Sequence, residues 1–174
     1  ATANLNTVAI RFPNHKIIRS VLKYLNFPLA MPSANLSSGL SPVSASDVFE
    51  EFKNKINIII NGGKSKFGIE STVIDLTKKP RILRPGKINS NKIRNILKIK
   101  FSKKNSKVKS PGMLWKHYSP GIPVILNRKP TNIKYAHIIF GKKYKNKKNT
   151  FNLSKKKDLK EAASNLYKTM RIIK

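Results

Sequence analysis

The sequence contains no cysteine, and only seven acids stand against 37 lysines and arginines. Without cysteine there is no disulfide framework and no thiolate zinc site. Three scattered histidines (His15, His117 and His137) and so few carboxylates argue against a metal site built by the protein. No apolar run is long enough to cross a bilayer. The opening ATANLNTVAIRFPNH has no initiator Met and lacks the charged and apolar regions of a secretory leader. The expectation is a cytoplasmic protein without membrane contact. There is no G-x-x-x-x-G-K-[ST] loop and no G-x-S-x-G elbow. Paired carboxylates are missing too, since Glu70 and Asp75 are the only acids near the polar stretches described below. General acid–base catalysis is therefore not the expected main device.

What the chain has in excess is positive charge, formally +30 over 174 residues. One reading is nucleic-acid binding, because each phosphate contact releases counterions. The other is compositional drift. Lys outnumbers Arg, Asn and Ile are also abundant, and the lysines crowd into presumed loops such as 141–148 with little aromatic interleaving.

The length fits one medium domain or two small ones. TVAIRF (7–12), FPLAM (27–31), INIIING (56–62), STVIDL (71–76), RILR (81–84), PVIL (123–126) and YAHIIF (135–140) read as strands. Apolar residues at helical spacing predict helices over 15–25 with Asn14 as N-cap, over 44–52, over 89–97 and over 158–173. Asp158 with Glu161 has the spacing of a capping box. The alternation predicts an α/β fold with an open, twisted, mixed sheet and flanking helices. The expected division is 1–100, a linker over 101–121, and the start of a small α/β domain over 122–174.

Four stretches are polar or Gly/Pro-rich beyond what a fold demands. MPSANLSSGLSP (31–42) follows a predicted buried strand, where open α/β sheets bind ligands; it also reads as an ordinary strand-to-helix loop. GGKSKFGIESTVIDL (62–76) offers glycine-rich backbone to an anion, or is a plain hairpin connection. RILRPG (81–86) ends a strand on Arg84, pinned by Pro85-Gly86, and Arg11 in VAIRFP is a second strand-end arginine. A fixed guanidinium forks a phosphate or carboxylate; a surface arginine is the plainer alternative for each. SPGMLWKHYSPG (110–121) gathers the single Trp, a His and a Tyr after a lysine-rich connector, as a lid or as packing.

In series, TVAIRFPNH, PSANLSSGLSP, NGGKSKFGIESTVIDL, RILRPG and SPGMLWKHYSP resemble the YrdC-like family, in the two-domain form of threonylcarbamoyl-AMP synthase. The tail, IIFGKK followed by FNLSKKKDLKEAASNLYKTMR, is similar to the start of that form's second domain. The resemblance implies synthesis of threonylcarbamoyl-adenylate from L-threonine, bicarbonate and ATP, with release of pyrophosphate. Magnesium would accompany ATP on its phosphates. The product would pass to a downstream threonylcarbamoyl transferase complex that modifies tRNA. By position, Arg11 would fork the threonine carboxylate, with Met31 and Ser71 also holding threonine. Thr7, Ser33, Asn35, Ser41 and Arg84 would contact ATP, and Tyr118 would close over it. No side chain is expected to act as an acid or base.

The sequence also departs from the family. The upstream part, which carries a Lys/Arg phosphate-binding motif, is missing, and the second domain stops after its first helix. The expectation is a fragment that does not turn over alone and exposes unpaired sheet edges. Two alternatives stand beside the synthase: a basic module of the same fold that binds tRNA or double-stranded RNA, and a carbamoyl-transfer domain of the hydrogenase-maturation kind. The SPGM…HYSP connector argues against the second.

Overall fold

Helices α1 (Lys16–Tyr24), α2 (Ala45–Phe52), α3 (Ser90–Leu97) and α4 (Leu159–Ile173) form where the helical spacing predicts them. The computed structural model describes residues 2, 4–98, 118–144 and 148–174. Two units are distinguished, 1–33 and 34–174.

The first unit holds α1. Its N-cap is His15, in an extended conformation and without a side-chain capping bond, rather than the expected Asn14. TVAIRF and FPLAM form no strand ladder, and Val8, Ile10 and Phe12 lie exposed. β-rich composition alone makes no strand, because a ladder needs a neighbour's N–H and C=O groups. The Arg19 guanidinium sits 5.6 Å from the centre of the Phe12 ring.

In the second unit, the STVIDL and RILR segments pair as antiparallel strands β1 (Val73–Asp75) and β2 (Arg81–Arg84). Asp75 locks the turn between them. Its Oδ1 accepts from the Thr77 amide at 3.0 Å and the Thr77 hydroxyl at 2.6 Å, and its Oδ2 pairs with Arg81 at 2.9 Å. The register sets Val73 opposite Arg84, with an irregularity between Val73 and Ile74. Beyond the pair, Gly86 presses its backbone on residues 70–72. A Cβ there would lie 2.3 Å from the Thr72 nitrogen and 2.6 Å from the Glu70 carbonyl oxygen. Glycine is thus required by backbone-to-backbone approach.

Towards the C-terminus, β3 (His137–Ile139) and β4 (Thr150–Asn152) form a parallel pair, and α4 follows. YAHIIF forms β3 as expected; β4 was not anticipated, because TFN is short and carries little β signal. INIIING and PVIL form no ladder among the described residues. The fold is mixed α/β as predicted, with the described strands paired in two small sheets, β1 with β2 and β3 with β4.

Capping differs from expectation at α4 as well as at α1. Asp158 does cap α4, accepting from the Lys160 and Glu161 amides. Glu161, however, does not reach back to the N-cap: its Oε2 accepts from the Ser154 hydroxyl at 2.6 Å. The Ser154 oxygen accepts from the Asp158 amide at 2.9 Å, so a buried serine does the work assigned to the glutamate. A reciprocal capping box forms on α2 instead, between Ser44 and Asp47. Among the described residues, Leu40, Ile93, Ile139, Ala162 and Tyr167 are the buried hydrophobic ones. The close of the 110–121 motif is described from Tyr118 onward; its earlier residues, Trp115 and His117 included, lie outside the described residues.

Candidate active site

The register of β1 and β2 aims Arg84 back at the start of its partner strand. Its Nε donates to the Ser71 carbonyl at 2.9 Å and its NH2 to the Ser71 hydroxyl at 3.2 Å. Its NH1 donates to the Tyr118 hydroxyl at 3.4 Å. The Glu70 carboxylate lies 3.7 Å from the same guanidinium. The Arg84 side chain is only 12% exposed, so solvent does little to screen this charge.

Glu70 is itself fixed, accepting a short hydrogen bond from the buried Ser41 hydroxyl. Ser41, Glu70, Ser71, Arg84 and Tyr118 therefore form one connected polar group, drawn from a loop, a strand entrance, a strand end and the end of the connector. Three of them, Glu70, Arg84 and Tyr118, line a cavity of about 330 Å³ together with Ile69, Pro85 and Tyr167. That volume falls in the range of small-ligand sites. Among the described residues no three His, Asp or Glu side chains gather closely enough to hold a metal ion.

Tyr118 has a left-handed backbone, with φ +58. This conformation costs a non-glycine residue about 1–2 kcal/mol. Its ring stacks on Tyr167 at 5.7 Å, and the adjacent Ser119 amide donates to the Ser38 carbonyl at 2.9 Å. Burial raises the Tyr118 phenol above its ordinary value, Arg84 opposes this, and Glu70 adds to it. Burial pushes Tyr167 up to about 12, with Tyr118 and Glu70 adding to the rise. Both phenols are neutral at physiological pH.

Asn35 is half-buried. Its amide nitrogen donates to the Leu36 carbonyl at 2.7 Å and the Gly39 carbonyl at 3.3 Å, which closes the PSAN loop on itself. Its Oδ1 is buried without a partner among the described residues, leaving an acceptor for an incoming donor. Thr7, Arg11, Met31 and Ser33 belong to the unit 1–33 and are exposed. Of the nine residues expected from sequence, Ser41, Ser71, Arg84 and Tyr118 are joined through Arg84 and Glu70, while Asn35 shapes the neighbouring loop. Sequence reasoning noticed Glu70 but gave it no role, and it missed Tyr167. The motif GIES holds the signal for Glu70; nothing local marks Tyr167.

The Sua5/YciO/YrdC profile, described as telomere recombination, matches residues 1–86. The profile of the threonylcarbamoyl-AMP synthase C-terminal domain matches 88–174. The chain is 41% identical over 136 residues to threonylcarbamoyl-AMP synthase of Pyrococcus abyssi, covering 74% of this chain and 40% of that protein. It is 37% identical over 131 residues to the Bacillus subtilis protein of the same name, covering 72% and 38%. The crystal structure of P. abyssi Sua5 complexed with L-threonine superposes with a TM-score of 0.82 at 34% identity, over 98% of this chain and 56% of that one. A second P. abyssi Sua5 structure, of a variant with an adjacent His and Tyr replaced by Ala, gives 0.73 at 30% identity, over 97% and 54%. The chain thus spans about two fifths of the length of the curated relatives it matches. With a profile of each domain matched in order, the chain belongs to the Sua5/YciO/YrdC family in its two-domain, Sua5-like form.

Proposed function

We propose that this chain carries part of the site of an L-threonylcarbamoyladenylate synthase, which serves the threonylcarbamoyladenosine modification of tRNA. The observation that carries the proposal is the Arg84 guanidinium, held by Ser71 and Tyr118 at the wall of a small cavity. In the reaction, the threonine amine nitrogen bonds to the bicarbonate carbon as a C–O bond of bicarbonate breaks and water leaves, which gives an N-carboxy-threonine. Its carboxylate oxygen bonds to the α-phosphorus of ATP as the bond from that phosphorus to the β-phosphate bridge breaks, and pyrophosphate leaves with the electron pair. Such a transfer needs alignment and charge stabilisation more than an acid or base. A cavity with one arginine, one acid and two tyrosines on its wall, and serines holding the arginine and the acid from behind, suits it.

Arg84 would stabilise the triphosphate, and its donors are already oriented. The Ser71 hydroxyl accepts from Arg84 and keeps its own proton to donate to threonine. Tyr118 would cover the nucleotide. Asn35 and Ser41 would serve the ATP side, Ser41 by fixing Glu70. Thr7, Arg11, Met31 and Ser33 keep the roles the resemblance implies: Arg11 and Met31 toward threonine, Thr7 and Ser33 toward ATP. Magnesium would enter on the phosphates of ATP. The division at 1–100, 101–121 and 122–174, a cytoplasmic location and delivery of product to a tRNA-modifying transferase complete the reading.

The RNA-binding alternative draws on charge alone. Every described lysine is exposed, and none lines the cavity. That distribution supports a sticky surface more than a reading site.

Thermal unfolding tests the proposal, because a ligand that binds the folded chain raises its midpoint. ATP with L-threonine should raise it in the native chain and not in Arg84→Ala. An equal rise in Arg84→Ala, or with inorganic triphosphate alone, would contradict it.

A further inference from the structure

One face of α4 touches three segments of the candidate site. Near its start, Ala163 and Ser164 accept the backbone of Gly68. A Cβ on Gly68 would lie 2.7 Å from the Ser164 Cα and 2.8 Å from the Ala163 carbonyl oxygen, and Gly68 has φ +62. One turn on, Tyr167 stacks against Tyr118. A further turn on, Arg171 donates from NH1 to Glu51 Oε2 at 3.0 Å and makes a short bond from NH2 to the Leu40 carbonyl. Glu51 in turn accepts the Leu36 amide on Oε1 at 3.0 Å. Positions 163/164, 167 and 171 recur at helical spacing and form one stripe.

The stripe meets the GIES entrance and the end of the connector, which line the cavity, and the 36–40 turn, which leads into Ser41 and so to Glu70. The Arg171–Glu51 pair is secluded, at 15% and 9% side-chain exposure, so breaking it leaves a charge in a poorly solvated place. We propose that α4 is a brace for the site, with Arg171 and Tyr167 as positioning residues. Arg171 holds the 36–40 turn through Glu51 and the Leu40 carbonyl. Tyr167 holds Tyr118 in its strained backbone conformation above Arg84. This assigns a task to a helix of the C-terminal region, which the reaction chemistry leaves without one. The positioning role rests on the ATP reading; the brace itself does not.

Amide hydrogen exchange on the whole chain tests the brace without any ligand. In Arg171→Met the Leu36 amide should exchange at least tenfold faster, with Arg171→Lys intermediate and the amides of the β1–β2 pair unchanged. In Tyr167→Leu the Ser119 amide should exchange faster, while Tyr167→Phe, which keeps the ring, should match the native chain. Unchanged exchange at Leu36 and Ser119, or equal acceleration in β1–β2, overturns the brace. Titration with ATP and L-threonine then tests positioning: Arg171→Met should bind about tenfold more weakly, with recovery in Arg171→Lys. Loosened amides with unchanged ATP affinity overturn the positioning role. A native chain that ignores ATP overturns the nucleotide reading and that role together, and leaves the brace to the exchange result.

Discussion

Arg84 is the residue on which the site turns, and its geometry makes it hard to replace. Lysine carries the charge but cannot reproduce a fork that reaches the Ser71 carbonyl, the Ser71 hydroxyl and the Tyr118 hydroxyl together. Arg84→Lys should cost ATP affinity about tenfold and Arg84→Ala more, each measured by titration, because hydrogen bonds to charged groups contribute about 1.5–3 kcal/mol. Gly86 is as constrained for a different reason. Alanine there meets backbone, not a flexible side chain, so Gly86→Ala should destabilise the chain by about 2 kcal/mol or more in denaturant unfolding. Tyr167 supplies a pH prediction. A phenol raised to about 12 is neutral in the fold but ionises near its ordinary value once unfolded. Its stabilising contribution is complete below about pH 10 and lost as pH rises toward 12. Phenolate absorbance in the native chain should include a late step that Tyr167→Phe removes.

At the scale of elements, Ser154 joins three parts at once. Its carbonyl accepts from Gly141 at 2.8 Å, and its hydroxyl links Glu161 to the Asp158 amide. Ser154→Ala should cost about 1–3 kcal/mol in denaturant unfolding, because it takes away the hydroxyl shared by the Asp158 amide and the Glu161 carboxylate. The elements also show what sequence could reveal. All four helices were legible because an apolar stripe needs no distant partner to be recognised. β1 and β2 were legible because each strand's partner follows a short turn later. TVAIRF, FPLAM and INIIING have the same β-rich composition, yet pairing is non-local and composition does not name the neighbour. The site divides the same way. Arg84, Ser71 and Tyr118 stand in punctuated motifs, with Pro and Gly beside them. Arg171 and Glu51 lie 120 residues apart, and nothing at either position announces the other.

For the molecule as a whole, charge is the dominant sequence feature and the least informative about the site. With every described lysine exposed and none of them lining the cavity, single-stranded RNA should bind with a steep loss of affinity as salt rises. Neutralising Lys142 and Lys143 should lower the salt slope about as much as neutralising Lys78 and Lys79, since neither pair lines the cavity. A marked difference between the two pairs in a binding titration would point to a localised RNA surface. The central claim concerns the cavity instead, and isothermal titration with ATP plus L-threonine, against ATP plus L-serine, at low and high salt, addresses it most directly. The account predicts binding that prefers threonine and persists at high salt. Binding that ignores threonine and vanishes with salt would contradict it, leaving only a polycation that meets phosphate.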